Sequence, residues 1–237
     1  MHQLGSSRSS HQHNHLLHTP DAFVRAPLPG MRKATAIVHA APALGAAFTQ
    51  YTAEFEAGGA LGPASTQRFV YVLSGKLKVL GMTLGPDEFA YLPVGEEPVI
   101  AVKTSRASVI EKPHEPMGSM PGAFAGKERE IAPVPLMGDE WVEVRPLIPP
   151  GDWSFDFAVN TMTFHPGGSL PMVEVHVMEH GLQMLSGGGI YRLGDHWYPA
   201  SAGDFIWMGP YCPQWFGAIG KVPARYLIYK DWNRHPL

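Results

Sequence analysis

An internal repeat of short β-type segments is the feature that most restricts the fold of this chain. A Phe-x-x-Gly-Gly pattern occurs at 55–59 and again at 164–168. An apolar run that ends in Leu-Ser-Gly occurs at 70–75 and again at 182–187, and each copy continues through a turn into a second apolar run. A unit of this kind, with short runs between turns, is a β domain present twice. The sequence therefore predicts two tandem β domains.

The spacing of turn residues predicts that both repeats are β barrels. Glycine and proline recur about every eight to twelve residues between short β-branched and aromatic runs, and no long segment keeps the apolar period of a helix. We therefore expect an all-β chain of two tandem antiparallel β barrels of the jelly-roll type. The expected parts are a flexible tail at 1–18, an N-terminal domain at 19–115, a linker at 116–149 and a C-terminal domain at 150–237.

Composition places the chain among ordinary globular proteins and excludes several classes of partner. Hydrophobic residues make up 45% of its 237 residues, charged residues make up 16%, and the net charge is -3. This balance gives no reason to expect nucleic acid or an anionic membrane as a partner, and the apolar runs are too short to cross a bilayer. Because Cys212 is the one cysteine and no apolar signal segment follows Met1, we expect a cytoplasmic protein.

The polar segment at 1–18 contains several histidines. A histidine-rich tract can bind metal, but a polar terminal segment is more often a mobile tail. We interpret this segment as a flexible tail.

Four candidate metal ligands follow the glycine pair of the second repeat. Glu174, His176 and His180 are separated by one and three residues, and Gln214 follows the next turn. Since alternate residues of a strand share a face, the first three would point to one side, and the fourth would come from a neighbouring strand. Two imidazoles and two oxygen donors suit Mn²⁺ or Fe²⁺, and Zn²⁺ less well, and leave positions for substrate or water.

The stretch 176–180 also spells His-x-x-Glu-His, a metallopeptidase pattern that requires a helix. Glycines and prolines on both sides and alternating valines disfavour a helix here. Glu179 has the opposite parity to the candidate ligands, so we interpret it as a structural or solvated carboxylate. A peptidase is therefore rejected.

The first repeat has no equivalent ligand set. Counted from the neighbouring glycines, its corresponding positions carry one of two sets of residues: Gly62, Ala64 and Arg68, or Ser65, Gln67 and Tyr71. The counterpart of Gln214 falls near Glu97 or Pro98. We therefore expect the N-terminal domain to lack metal ligands and to have a structural role.

The glycine-framed motifs of the second repeat resemble those of cupins, and a tandem pair of cupin barrels is a bicupin. The stretch Glu174–Lys221, together with Gly203–Met208 and Tyr226–Arg234, closely resembles the (S)-ureidoglycine aminohydrolase family. The resemblance covers nearly the whole chain after the tail. It implies a manganese-dependent, homo-oligomeric bicupin that hydrolyses (S)-ureidoglycine to (S)-ureidoglycolate and ammonia. It also implies the metal ligands Glu174, His176, His180 and Gln214, and a substrate pocket with Tyr191, Gln214, Tyr226 and Lys230.

Lys230 and Tyr226 share one face of the last expected strand. If that face points inward, the Lys230 cation is costly without an anionic partner, and a substrate carboxylate would supply one. With Glu174 as ligand and proton acceptor, these three residues are the catalytic candidates, although a ligated carboxylate is a weak base. Two alternatives stay open: another metallocupin reaction, such as a dioxygenase or decarboxylase, and a non-catalytic cupin that binds a small molecule.

Overall fold

The structure, a computed structural model, describes residues 6–95 and 97–234. The strands of the first half of the chain are β1 Ser10–Gln12, β2 His15–His18, β3 Arg32–Ala40, β4 Thr49–Leu61, β5 Gln67–Ser74, β6 Leu77–Val79, β7 Met82–Leu84, β8 Glu88–Leu92, β9 Val99–Ala101 and β10 Ser105–Lys112. Those of the second half are β11 Phe124–Lys127, β12 Val134–Leu136, β13 Asp139–Pro146, β14 Phe157–Phe164, β15 His180–Ser186, β16 Gly188–Leu193, β17 His196–Ser201, β18 Phe205–Met208, β19 Gln214–Ala218 and β20 Ala224–Asp231.

The helices among the described residues are three short 3-10 turns, at Pro20–Ala22, Pro42–Leu44 and Glu128–Glu130. The prediction of an all-β fold is therefore confirmed. None of the helices in the described ranges is long and apolar enough to cross a membrane.

The described residues form two compact units. The C-terminal unit contains the residues up to Phe23, the segment Pro133–Ile148 and the residues from Phe157 onward. The N-terminal unit contains Val24–Ala132 and Pro149–Asp156. Each unit is thus built from more than one segment of the chain. The domain limits 19–115 and 150–237 stay a prediction.

The C-terminal unit is a sandwich of two sheets. Its large sheet has the order β1-β2-β18-β15-β20-β14-β13-β12, and its small sheet has the order β17-β16-β19. Alternate residues of both sheets point into a common core, which includes Leu182, Ile206, Phe216 and Tyr226. The metal-ligand candidates lie at the ends of strands that face this core.

The N-terminal unit is built on one curled sheet with the order β11-β8-β5-β10-β4-β9-β6-β7, and β3 pairs with β4. The long strand β4 pairs with β10 through its first half and with β9 through its last residues, so the sheet folds over itself. The enclosed core includes Phe55, Val70, Leu77 and Val109.

The repeated Leu-Ser-Gly pattern has the same structural cause in both units. Gly75 and Gly187 follow equivalent strands and have φ values of 85° and 65°, which favour glycine. A Cβ atom at Gly75 would lie 2.2 Å from Ser105 Oγ, and one at Gly187 would lie 2.5 Å from the carbonyl oxygen of Pro223. Only glycine allows the backbone to turn this close to the adjacent strand.

The segments expected to be a flexible tail and a linker contain strands instead. Within 1–18, residues 1–5 lie outside the described residues, but β1 and β2 form a hairpin whose second strand pairs with β18. Burial alternates along β2: His15 and Leu17 are each 1% exposed, while Leu16 and His18 are partly exposed. The polar composition of the segment hides this alternation. Within 116–149, β12 and β13 continue the large sheet beyond β14.

Side chains also fasten the N-terminal hairpin to the C-terminal unit. The Arg8 guanidinium donates to both carboxylate oxygens of the fully buried Asp204, at 3.0 and 2.7 Å. His15 Nε2 lies 2.9 Å from Tyr198 Oη. The hairpin is therefore part of the folded unit that carries the candidate site.

We predict that Leu17→Ala lowers the free energy of unfolding of the C-terminal unit by about 2–5 kcal/mol, because it leaves a cavity in the core. Urea denaturation followed by circular dichroism measures the change. The control is Val24→Ala, which removes an aliphatic side chain that is 75% exposed and should change stability by no more than ~0.5 kcal/mol. Equal stabilities for Leu17→Ala and the unsubstituted protein would mean that the hairpin does not contribute to the fold.

Candidate metal centre

The four ligand candidates come together at two strand ends of the C-terminal unit. Glu174 and Gln214 form an isolated antiparallel bridge, in which each backbone N–H donates to the other carbonyl at 2.8 and 2.9 Å. His180 is the first residue of β15, and Gln214 is the first residue of β19. Sequence positions 40 residues apart (174 and 214) are thus fixed side by side by the backbone itself.

The segment between Glu174 and His180 is neither a strand nor a helix. The expectation that Glu174 and His176 lie within a strand is therefore corrected: they lie on an extended segment before β15. This segment is held at one point by the bridge and at another by the Tyr211 N–H, which donates to the His176 carbonyl at 2.6 Å. Its non-helical course removes the geometry that the metallopeptidase pattern needs.

A cavity of about 250 Å³ opens between the two sheets of the C-terminal unit. All seven site residues predicted from the sequence line it: Glu174, His176, His180, Tyr191, Gln214, Tyr226 and Lys230. The remaining lining residues are Leu136, Met137, Met162, Leu170, Met178, Ile228 and Trp232. The cavity therefore has polar groups gathered on an otherwise apolar wall, as small-molecule sites usually do.

Three nitrogen donors meet at the polar part of the cavity. His176 Nδ1 lies 2.9 Å from His180 Nε2 and 3.1 Å from Gln214 Nε2, while His176 Nε2 lies 3.7 Å from Glu174 Oε2. The amide oxygen of Gln214 lies on the other side, 3.4 Å from Tyr191 Oη. Since the two ends of an amide are assigned from such contacts, a turn of the amide would present its oxygen to the histidines.

Burial controls the protonation of both imidazoles. It lowers the pKa of His180 well below its usual value, and the nearby Lys230 cation lowers it further. Burial also lowers the pKa of His176, against the attraction of Glu174. Both rings are therefore neutral near pH 7, which is the form that binds a metal.

Lys230 is directly opposite His180 in the β15–β20 ladder, and its side chain lines the cavity. Burial lowers the pKa of Lys230, and Glu174 opposes that change. Within the described part of the chain the side chain of Lys230 makes no hydrogen bond or ion pair. The cavity thus holds an amine that no carboxylate of residues 6–95 and 97–234 neutralises by direct contact.

Tyr191 and Tyr226 form the inner wall of the cavity and are each 1% exposed. Burial raises the pKa of both phenols, with a smaller contribution from Glu174 to each. Both therefore stay protonated and act as hydrogen-bond donors toward a bound molecule. Among the described residues, the hydrogen-bond partner of the Tyr226 hydroxyl is the Met162 sulfur, a weak acceptor at 3.3 Å.

The donor set fits a divalent cation by its chemistry. In their present positions, no three His, Cys, Asp or Glu side chains of residues 6–95 and 97–234 converge as a metal site. The fourth donor, however, is the amide of Gln214: a turn of this amide would place its oxygen beside the two imidazoles, whose facing nitrogens are 2.9 Å apart. Two neutral imidazoles, an amide oxygen and one carboxylate match Mn²⁺, Fe²⁺ or Zn²⁺. The ring nitrogen Nδ1 of His180 is buried without a hydrogen bond of normal geometry, which leaves its Nε2 as the atom that faces the other donors.

Sequence reasoning missed the apolar part of the cavity. Met137 reaches it from the β12–β13 turn, where Met137 and Gly138 have φ values of 51° and 85°, and Trp232 reaches it from beyond β20. The Met-Gly-Asp sequence at 137–139 could have indicated a tight hairpin turn, but nothing local shows that this turn lies over the cavity.

Glu179 lies away from the cavity, is 4% exposed and accepts a hydrogen bond from the Trp207 indole at 2.9 Å.

The two curled β units and the gathered donors define a bicupin, a protein of two cupin units, with a candidate metal centre in the C-terminal one. The family model described as a cupin domain matches residues 160–229. The (S)-ureidoglycine aminohydrolase of Arabidopsis thaliana is 37% identical over 98% of this chain and 80% of its own length. The chain therefore belongs to the (S)-ureidoglycine aminohydrolase family, as the sequence predicts.

Solved structures agree with this placement. The crystal structure of protein Ylba from Escherichia coli matches with a TM-score of 0.85 and 28% identity, over 98% of this chain and 97% of that one. Oxalate decarboxylase of Bacillus subtilis, a protein with Mn(II) centres, matches with a TM-score of 0.71 over 98% of this chain and 81% of that one. At 12% identity the second likeness shows the shared fold alone.

We predict that Glu174→Ala and His176→Ala each abolish stoichiometric metal binding, because each removes a donor that no neighbouring side chain replaces. Metal content is measured by inductively coupled plasma mass spectrometry after loading with Mn²⁺ and gel filtration. Glu179→Gln is the matched control: it changes a buried carboxylate five residues from Glu174 and outside the cavity, so metal content should be unchanged. Full metal content in His176→Ala would contradict the assignment of this centre.

Proposed function

We propose that the protein hydrolyses (S)-ureidoglycine to (S)-ureidoglycolate and ammonia. The observation that carries the proposal is the convergence of the seven predicted site residues on one cavity of the C-terminal unit. The name of the Arabidopsis relative, at 37% identity, supports the same reaction. In the balanced reaction one water is consumed, the bond between the central carbon and its amine breaks, and a carbon–oxygen bond forms.

Glu174, His176, His180 and Gln214 are the proposed ligands of a divalent metal, with Mn²⁺ as the proposed ion and Fe²⁺ or Zn²⁺ as alternatives. When bound, the metal would act as a Lewis acid that orients the substrate and polarises it. The carboxylate of Glu174 is 16% exposed, so a nearby cation would offset much of the cost of burying it. The neutral imidazoles of His176 and His180 need no proton release before they bind.

Lys230 is the proposed partner of the substrate carboxylate. Its side chain lines the cavity and has no ion-pair partner in the described part of the chain, so a carboxylate placed beside it would be neutralised in a setting of low polarity. Tyr226 and Tyr191 would donate hydrogen bonds to the same or neighbouring substrate oxygens. Together the three groups hold one end of the substrate and leave the other end toward Glu174 and the histidines.

Glu174 is also the proposed proton acceptor. It is the one carboxylate among the described residues that lines the cavity, and its Oε2 lies 3.7 Å from His176 Nε2. A proton taken from water by this carboxylate could be passed to the departing amine, while the ureido nitrogen assists loss of ammonia. A carboxylate that also binds metal is a weak base, so we assign it this role only for lack of a second acidic side chain in the cavity.

The proposed location is the cytoplasm, and the proposed assembly is a homo-oligomer with a small-molecule substrate. The location is supported by the single cysteine, Cys212, which is buried and has its pKa raised by burial. The assembly is supported by exposed apolar side chains at the edge strand β12 and the turn after it, where Val134 is 56% and Met137 73% exposed.

We predict that the Mn²⁺-loaded protein releases one ammonia per (S)-ureidoglycine and forms (S)-ureidoglycolate. The substrate is generated in the assay and decays on its own, so the rate is taken over a no-enzyme reaction and over the Glu174→Ala variant. Coupled detection of ammonia and chiral chromatography of the product measure the outcome. Oxygen consumption or CO₂ release in place of ammonia would instead indicate an oxygenase or decarboxylase, and tight binding without turnover would indicate a binding protein.

We predict that Lys230→Ala raises KM for the substrate by roughly ten- to a hundredfold, because it removes a charged hydrogen bond inside the cavity. Metal content should stay as in the unsubstituted protein. Lys221→Ala, at an exposed position between β19 and β20, is the control and should leave KM unchanged. If Lys230→Ala lost its metal but kept its KM, Lys230 would support the metal centre rather than the substrate.

A further inference from the structure

The N-terminal unit has its own cavity at the strand positions that correspond to the metal centre. In the C-terminal unit His180 is directly opposite Lys230, and in the N-terminal unit Arg68 is directly opposite Glu111 on the equivalent strands β5 and β10. Both members of this second pair line a cavity of about 310 Å³. It is similar in size to the 250 Å³ cavity of the metal centre.

This second cavity is not built for a metal. The isolated bridge between Ala64 and Gly95 takes the place that the bridge between Glu174 and Gln214 has in the other unit. Neither Ala64 nor Gly95 has a side chain that can bind a cation. By this bridge the counterpart of Gln214 is Gly95. Counting from the glycines in the sequence had put it near Glu97 or Pro98.

The polar groups of the second cavity form a hydrogen-bonded network that leaves some donors unused. Arg68 is 6% exposed; its Nε and Nη2 both lie 2.8 Å from Glu111 Oε1, and its Nη1 donates to the Gly62 carbonyl at 2.9 Å. The Tyr51 hydroxyl donates to the same Glu111 oxygen at 2.9 Å. A guanidinium has five N–H groups, so N–H donors of Arg68 remain unused.

Glu111 provides the matching acceptor. Within residues 6–95 and 97–234 all of its hydrogen bonds go to Oε1, and Oε2 accepts none. A free carboxylate oxygen therefore lies beside free guanidinium N–H groups in the same cavity wall. Because the two charges cancel, the pair favours neither an anion nor a cation. It matches a group that offers a carbonyl oxygen and an N–H side by side, which is the pattern of an amide or urea.

Leu28, Met31 and Leu61 give the cavity wall an apolar part, and Ser65 and Thr66 add hydroxyl groups to it. Such a wall, with a few polar groups fixed at one end, is typical of sites for small ligands. The Tyr51 phenol is 2% exposed, and its hydrogen bond to Glu111 fixes the carboxylate in place before any ligand arrives. Pre-organisation of this kind reduces the cost of binding.

We propose that the cavity of the N-terminal unit is a second, metal-independent site that binds a small neutral ligand through an amide or ureido group, held between Arg68 and Glu111. Among the described residues no cluster of metal ligands lies at this site, and its cation, Arg68, is paired with Glu111. Its existence does not depend on the reaction proposed for the C-terminal unit.

The test uses hydantoin, a neutral cyclic ureide, as the probe and the full chain treated with EDTA as the protein. Binding is measured by ligand-observed NMR and isothermal titration calorimetry. We expect hydantoin to bind, and 1,3-dimethylhydantoin, which lacks the N–H groups, to bind at least about tenfold more weakly. The absence of hydantoin binding up to its solubility limit would overturn the proposal.

Variants locate the bound probe. Glu111→Gln removes the acceptor with little change of shape, and Ala64→Leu fills the cavity without touching the ion pair; each should weaken hydantoin binding at least about tenfold. Glu54→Gln is the matched control, because Glu54 also pairs with an arginine of the N-terminal unit, Arg25 at 2.7 Å, but lies outside this cavity. Circular dichroism checks that each variant is folded.

Two results would refute the assignment. One is unchanged binding in both Glu111→Gln and Ala64→Leu. The other is loss of binding in His176→Ala, which would place the probe in the C-terminal cavity instead. A failure of the ureidoglycine assay alone would leave these measurements unaffected, so the two proposals are tested separately.

Discussion

The backbone bridge between Glu174 and Gln214 is the constraint on which the candidate metal centre depends. Two hydrogen bonds of 2.8 and 2.9 Å fix these residues side by side, and the carboxylate and amide can reach the histidines only because of it. A side-chain contact alone would not hold the extended segment before β15, which has no helix or strand of its own. The bridge in turn needs β19 in place, and β19 is positioned by its pairing with β16.

The electrostatics of the cavity follow from its position between the two sheets. Burial keeps His176 and His180 neutral and the phenols of Tyr191 and Tyr226 protonated, as their pKa shifts show. The charged groups that line the cavity are Glu174 and Lys230. An anionic substrate next to Lys230 and a cation next to Glu174 would each lower the cost of a charge that the fold has already buried. Substrate binding would thus offset the burial of Lys230, and metal binding would offset the burial of Glu174.

The sequence was sufficient for the parts of this arrangement that depend on spacing. The glycine frame and the intervals between Glu174, His176 and His180 were enough to bring the ligand candidates into one cavity, and the family resemblance added Tyr191, Tyr226 and Lys230. The sequence was insufficient where a residue far away in the chain contacts the cavity. Met137 and Trp232 reach the cavity through sheet pairing that no local pattern encodes. The burial of His15 and Leu17 was hidden because a two-residue alternation in a histidine-rich segment looks polar on average.

The comparison of the two units shows why one cation is available to a substrate and the other is not. The ladders place His180 opposite Lys230 and Arg68 opposite Glu111 at equivalent positions. In the N-terminal unit the cation has a carboxylate directly across the ladder and is neutralised at 2.8 Å. In the C-terminal unit the residue across from Lys230 is a neutral imidazole, which provides no counter-charge. The same β scaffold therefore holds a cation whose charge is neutralised by a carboxylate in one unit, and in the other a lysine with no ion-pair partner among the described residues, so the second cation is the one suited to bind an anion.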